Sequence, residues 1–147
     1  MSTDLKVDIG GARLNIRCGL IMRYGEEVVL EISKVGRNSV IPGGRIQTME
    51  SSREAIVREI GEEMGFKPEK WKIRQLSVLE NFFTDGGKDF HEIYFLYEYI
   101  LSKKEAEAIE ALGTNMDNEE TYFKLVEAER VEEYNLLPKA LYEYVIE

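Results

Sequence analysis

The stretch Ile41–Lys67, IPGGRIQTMESSREAIVREIGEEMGFK, decides how this chain is read. It opens on Pro-Gly-Gly and closes on a dense group of glutamates. The spacing between them predicts a helix over Ser51–Met64. Ser51 or Ser52 supplies an N-cap, Ile56, Val57, Ile60 and Met64 form one apolar face, and Gly65 suits the left-handed position just past the end. At 100° per residue, Glu59, Glu62 and Glu63 share about one quarter of the circumference, beside the apolar stripe rather than opposite it. Each of these carboxylates meets the negative end of the helix dipole, at roughly 0.3–1 kcal/mol apiece. Gly61 in the same turn costs about 1 kcal/mol relative to alanine. Several local rules fail within one turn, and such clusters of violations tend to mark functional sites.

The plain reading of a charge run is a solvated acidic face, here offset by Arg53 and Arg58. The preceding Pro-Gly-Gly favours another reading. That bend brings backbone carbonyls and N–H groups close to a ligand. Fed into a ridge of carboxylates, it suits a hard cation such as Mg²⁺, which takes a few carboxylates and keeps other positions for water and phosphate oxygens. Metal charge would relieve the crowding, and the chemistry indicated is metal-assisted attack on a phosphate ester or anhydride.

The rest of the chain frames this segment. LKVDI and RLNIRCGLIMRY read as strands joined at a glycine turn, and EEVVLEISKV as the hairpin partner of the second. IRQLSVLENFF and FHEIYFLYEYIL bracket a hairpin at Gly86-Gly87. KKEAEAIEAL reads as a short helix stopped at Gly113, NMDNEET as a polar loop and YFKLV as a further strand. Pro138 marks a helix start, with Leu141, Tyr142 and Val145 on one side. Hairpin-paired strands interrupted by helices imply an α/β fold with a mixed sheet. At 147 residues, 44% apolar and 10% aromatic, residues 1–147 are expected to form a single domain with a real core. A net charge of -9 disfavours a broad nucleic-acid or membrane-binding surface. The lone cysteine, Cys18, sits among apolar residues and reads as a small buried hydrophobe. With no signal-like or bilayer-length apolar segment, the expectation is a cytoplasmic protein.

From Gly44 through Glu50 to Arg58-Glu59-Ile60-Gly61-Glu62-Glu63-Met64-Gly65-Phe66, the chain resembles the Nudix box, G-x5-E-x7-R-E-U-x-E-E-x-G-U, at every fixed position. Weaker likeness to bacterial-type Nudix hydrolases extends through IRCGLIM, ENFF…FHEIYF and YFKLVEAERVEEYNLLPKAL. The resemblance implies an α/β/α sandwich and hydrolysis of a nucleoside diphosphate linked to another group, with Mg²⁺ or Mn²⁺. Carried over by position, Glu62 and Glu63 are the principal metal ligands, and Glu59 binds metal or orients and activates the attacking water. The Gly43 carbonyl is a further ligand, and Glu50 and Arg58 brace the loop and helix.

Outside the box, the resemblance leaves the general base open. Nudix enzymes often take it from a loop, and Glu119 and Glu120 occupy a comparable region, with ordinary loop carboxylates as the alternative. Arg17, on a strand that borders the site in this fold, and Arg45, just after the glycines, are candidate phosphate contacts. Phe82, Phe83, Tyr94 and Phe95 are candidates to stack on a base or to pack in the core, and Phe83 is retained as substrate-binding. His91 alternates with Ile93 and Phe95 and reads as structural before catalytic. ENFF carries neither the proline of the ADP-ribose hydrolase marker nor the tyrosine of the dinucleoside polyphosphate marker. The proline-rich NADH pyrophosphatase marker is missing too. A nucleotide-type small molecule is thus the expected partner: a nucleoside tri- or diphosphate, or a derivative. The alternatives are a Nudix-fold nucleotide sensor without turnover and, disfavoured by the acidic balance, action on RNA 5′ ends. Family members are often dimers, but no interface is legible here.

Overall fold

A computed structural model describes residues 2–146. Its frame is one mixed sheet. β1 (Lys6–Ile9), β2 (Ala12–Tyr24) and β3 (Glu27–Ser33) open the chain. Two short strands follow, β4 (Ser39–Val40) and β5 (Gly43–Arg45), then helix α1 (Ser52–Met64). β6 (Arg74–Asp85) and β7 (Lys88–Ile100) form the long hairpin, and helix α2 spans Lys103–Leu112. β8 (Thr114–Asn115) and β9 (Asn118–Glu127) complete the sheet, and helix α3 (Tyr142–Ile146) ends the described chain. The strand order is β6-β7-β2-β3-β9-β8, with β1 and β5 also on β2 and β4 on β3. β2 and β7 run parallel, and the other pairs are antiparallel.

Alternation along the central strands builds two apolar layers. Cys18, Leu20 and Met22 of β2 and Tyr97 and Tyr99 of β7 meet Ala55, Ile56, Ile60 and Met64 of α1 and Ala106 and Ile109 of α2. On the opposite face, Ile21, Leu30, Tyr94 and Leu96 pack against Val131, Leu136, Leu141 and Val145. The protein is therefore an α/β sandwich with helices on both faces of a mixed sheet. No helix among the described residues is long and apolar enough to cross a membrane.

Helix α1 starts where its sequence indicates. Ser51 is the N-cap in a reciprocal capping box with Glu54, and Gly65 closes the helix at φ 74°. Two expectations are corrected. NMDNEET is no loop: β9 begins at Asn118 and pairs with β8 across a tight turn. Polar side chains concealed this, because backbone pairing at a sheet edge needs no apolar alternation. Nor does the last helix start at Pro138. That residue is extended (ψ 155°), Lys139–Leu141 form a 3-10 turn, and α3 begins at Tyr142. Leu141 and Val145 are buried as expected.

One irregularity positions everything that follows. β2 and β3 pair only at Arg23–Val28 and Tyr24–Glu27. Past that point they separate. β2 takes β5 as its neighbour, and β3 takes β4.

Candidate active site

The Pro-Gly-Gly segment becomes a strand because β2 is available to it. Cys18 pairs with Gly44, Gly19 with Gly43 and Arg17 with Arg45. The approach is too close for side chains. A Cβ on Gly43 would overlap the Cys18 carbonyl oxygen, and one on Gly44 would lie 2.5 Å from the Glu59 carboxyl carbon. The two glycines thus let β5 fit between β2 and the carboxylate ridge of α1.

Arg58 ties this unit together. Its Nε donates to Glu50 Oε2 at 2.7 Å, and Nη2 donates to Glu50 Oε1 and to the Arg45 carbonyl, each at 3.0 Å. Its Nη1 donates to Glu59 Oε1 at 3.0 Å and reaches Glu62 at 3.4 Å. The guanidinium holds the Glu50 carboxyl below its usual range, against the opposing effect of burial. Five donors in a planar fork permit this bracing, which lysine could not reproduce.

Beside the brace lies a polar cleft of about 460 Å³, lined by residues that include Arg17, Glu31, Gly43, Arg45, Glu59, Glu63 and Asp117. Glu63 is only 7% exposed, and its Oε1 has no hydrogen-bond partner. Burial, with Glu31 and Glu59 nearby, pushes its carboxyl up to about 9. Burial also raises Glu59, with Arg58 opposing. Glu31, Glu59 and Glu63 are thus crowded together even with Arg17 and Arg45 on the same wall, and a divalent cation would relieve that crowding. Among the described residues, no three acidic, histidine or cysteine side chains close into a ready-made cage. The carboxylates instead stand round an open cleft, which suits a metal that keeps several waters.

The other sequence candidates are distributed as follows. Arg17 and Gly43 line both this cleft and a second one. Arg45 lines the polar cleft, with its Nε buried and unpartnered and its Nη1 3.8 Å from Asp4. Glu62 lines neither cleft: its side chain is 45% exposed and reaches Arg58 at 3.4 Å. Phe83 lines the second cleft. Glu119 and Glu120 are exposed on β9 and line neither cleft, while Asp117, in the preceding turn, does line the polar one. His91 packs edge-on against Phe82 at 4.6 Å and stands outside both clefts. Tyr94 is buried, which raises its phenol well above the usual range.

Sequence reasoning missed Glu31, Asn115 and Asp117. Glu31 Oε2 accepts from Asn115 Nδ2 at 3.0 Å and from Thr121 Oγ1 at 2.8 Å, so the carboxylate is held on the cleft wall. Its signal was a charged residue in the apolar run VVLEI. The β8–β9 turn carrying Asp117 is anchored to α1, because the Met116 N–H donates to the Glu63 carbonyl at 2.9 Å.

The second cleft, about 510 Å³, is lined by Asn81, Phe83, Glu92, Tyr94, Leu137, Pro138 and Lys139 among others. It shares Arg17, Val40, Ile41 and Gly43 with the first, so the two are contiguous.

A family model described as NUDIX domain matches residues 16–144. The chain belongs to the Nudix family. No curated protein matches the sequence. Among solved Nudix-type folds, a C. elegans Ap4A hydrolase shares 16% identity at TM-score 0.60, over 89% of this chain and 92% of that one. A MutT protein from Bacillus halodurans shares 19% at TM-score 0.59, over 90% and 82%. A MutT Nudix hydrolase from Burkholderia pseudomallei shares 18% at TM-score 0.56, over 79% and 84%. At such identities the likeness extends to the fold, and the Nudix box itself supplies the link to chemistry.

Proposed function

We propose that this Nudix protein is a Mg²⁺- or Mn²⁺-dependent pyrophosphohydrolase. Its substrate is a nucleoside triphosphate, or a nucleoside diphosphate linked to another group, and water cleaves the P–O–P bond. The observation that carries this reading is the buried, unpartnered Glu63 Oε1 beside Glu59, in a cleft of the right size and polarity for a hydrated cation and phosphates. Glu59, Glu62 and Glu63 would hold the metal, with the Gly43 carbonyl as a further donor. When bound, the metal polarises the anhydride and lowers the pKa of coordinated water.

The chain's own residues do the rest. Arg58 spends its donors on Glu50, the Arg45 carbonyl and Glu59, so it fixes geometry and leaves the substrate to others. Glu59 Oε1 is held by that bond, and its Oε2 makes no hydrogen bond among the described residues. That leaves Oε2 either to bind the metal or to take the proton of the attacking water. Arg17, on the wall common to both clefts, meets the phosphates, and Phe83 meets the nucleoside. One phosphorus gains the hydroxyl oxygen, and the other phosphate leaves with the bridging oxygen.

Phosphate and pyrophosphate release from a nucleotide panel, with and without Mg²⁺, tests the reading. Turnover should require metal, and Glu62→Gln and Glu63→Gln should each lower it at least a hundredfold. Unchanged turnover in both variants would remove the metal-ligand assignment. Metal-dependent binding without hydrolysis on a broad panel would make the protein a binding module instead.

A further inference from the structure

One row of hydrogen-bonded polar side chains crosses the face of the sheet that lines the second cleft. Asn15 on β2, Glu92 on β7 and Asn81 on β6 stand opposite one another in register. Asn15 Nδ2 donates to Glu92 Oε2 at 3.1 Å, and Asn81 Nδ2 donates to Glu92 Oε1 at 3.3 Å. The next rows bring Arg13, Phe90 and Phe83 together on one side and Arg17, Tyr94 and Leu79 on the other. Glu92 is 7% exposed, yet with Asn81 it lines the second cleft. Both of its hydrogen-bond partners are neutral amides.

Arg17, one row along on the same face, lines the same cleft without pairing to Glu92, so both bonds to this carboxylate come from amides and its desolvation is costly. Each of its oxygens retains a lone pair after one bond. Since the carboxylate accepts on both oxygens, Asn81 must turn its NH₂ group toward Glu92, which leaves that group one further hydrogen to donate. Asn81 and Glu92 together therefore offer a donor followed by two acceptors. Guanine is the common base whose pairing edge answers that order, with O6 accepting and N1–H and N2–H₂ donating. Adenine and cytosine set one amino group beside a ring acceptor, and uracil has one N–H between two carbonyls.

We infer that the second cleft selects a guanine nucleotide and that Glu92 reads its N1–H and N2–H₂. Asn81 meets O6. Phe83 offers a platform for the ring: it is 41% exposed and stacked on Phe90, with centroids 4.8 Å apart and planes 5° from parallel. The adjoining wall at Arg17 leads the phosphates toward the polar cleft. This deepens the nucleotide-hydrolase reading above and rests on it.

The test compares GMP with IMP, which differ by the 2-amino group alone, by calorimetric titration of the whole protein. Monophosphates require no turnover, so the result stands apart from catalysis. GMP should bind at least tenfold more tightly than IMP, because a site built to accept that amine is left unpaired without it. Glu92→Gln should abolish most of that preference by turning an acceptor into a donor, with the melting temperature monitored alongside. If the variant fails to fold, the wild-type ratio decides by itself. Equal binding of GMP and IMP, or a preference that survives Glu92→Gln, overturns the inference. A guanine preference with no hydrolysis of any nucleotide would sustain it while removing the proposed activity, and hydrolysis without the preference would do the reverse.

Discussion

Substitution of Gly44 by alanine separates the architecture of the box from its chemistry. The new Cβ would lie 2.5 Å from the Glu59 carboxyl carbon and 2.6 Å from each carboxylate oxygen, where ordinary contact begins near 3.4 Å. Glu59 must therefore retreat by about 0.9 Å. It is the far end of a flexible side chain, so the retreat is cheap for the fold, under about 1 kcal/mol. It is not cheap for function, because Glu59 Oε1 leaves its 3.0 Å bond to Arg58 and the carboxylate moves within the cleft. A misplacement of this size is worth about a hundredfold in rate. Gly43→Ala supplies the contrast, since its Cβ meets the Cys18 backbone oxygen, which has nowhere to go. Urea denaturation should show Gly44→Ala near wild type and Gly43→Ala destabilised by about 2–4 kcal/mol. Metal-dependent hydrolysis and Mn²⁺ binding followed by electron paramagnetic resonance should both fall in Gly44→Ala. Turnover and Mn²⁺ affinity within threefold of wild type would show that the position of Glu59 does not matter to the site.

Three further outcomes follow from particular contacts. Glu31→Gln should weaken Mn²⁺ binding severalfold without lowering metal-free stability, because an amide oxygen can still accept from Asn115 and Thr121 while one negative charge leaves the cleft; competition titration reads the first and thermal melting the second. Burial pushes the Glu98 carboxyl up, but its bonds from Arg74 at 2.6 Å and Arg23 at 2.7 Å hold it below the usual range. That pairing stabilises the fold above the unfolded carboxyl pKa of about 4.3 and is lost as pH falls through the folded-state value. Urea titrations should thus find Glu98→Gln weaker by about 1–3 kcal/mol at pH 7, with the gap narrowing in acid. Burial pushes the Cys18 thiol up to about 12, so Ellman's reagent at pH 8 should leave the folded protein unlabelled and react promptly in denaturant.

What the sequence disclosed was what it encodes locally. The helix of the box carries its own cap, its own apolar face and its own stop at Gly65, so no distant residue is needed to read it. The long hairpin likewise announces itself through Gly86-Gly87. The β8–β9 hairpin and the short strands at Ser39–Val40 and Gly43–Arg45 do not, because their existence depends on unoccupied sheet edges made by other segments. The site divides along the same line. Glu59 and Glu63 stand one turn apart on one helix, whereas Glu31 and Glu92 reach their clefts through strand register. Each was visible only as a charge inside an apolar run, a signal that names an oddity without naming its neighbours.

The contiguous clefts also bear on how such a protein can change. One draws on α1, β5 and the β8–β9 turn, the other on β6, β7 and the segment at Leu137–Lys139. Of the described residues, only Arg17, Val40, Ile41 and Gly43 belong to both. Substitutions in one cleft can accumulate while the other stays intact, so under the roles proposed above a lineage is free to exchange the molecule admitted without rebuilding the machinery that acts on it.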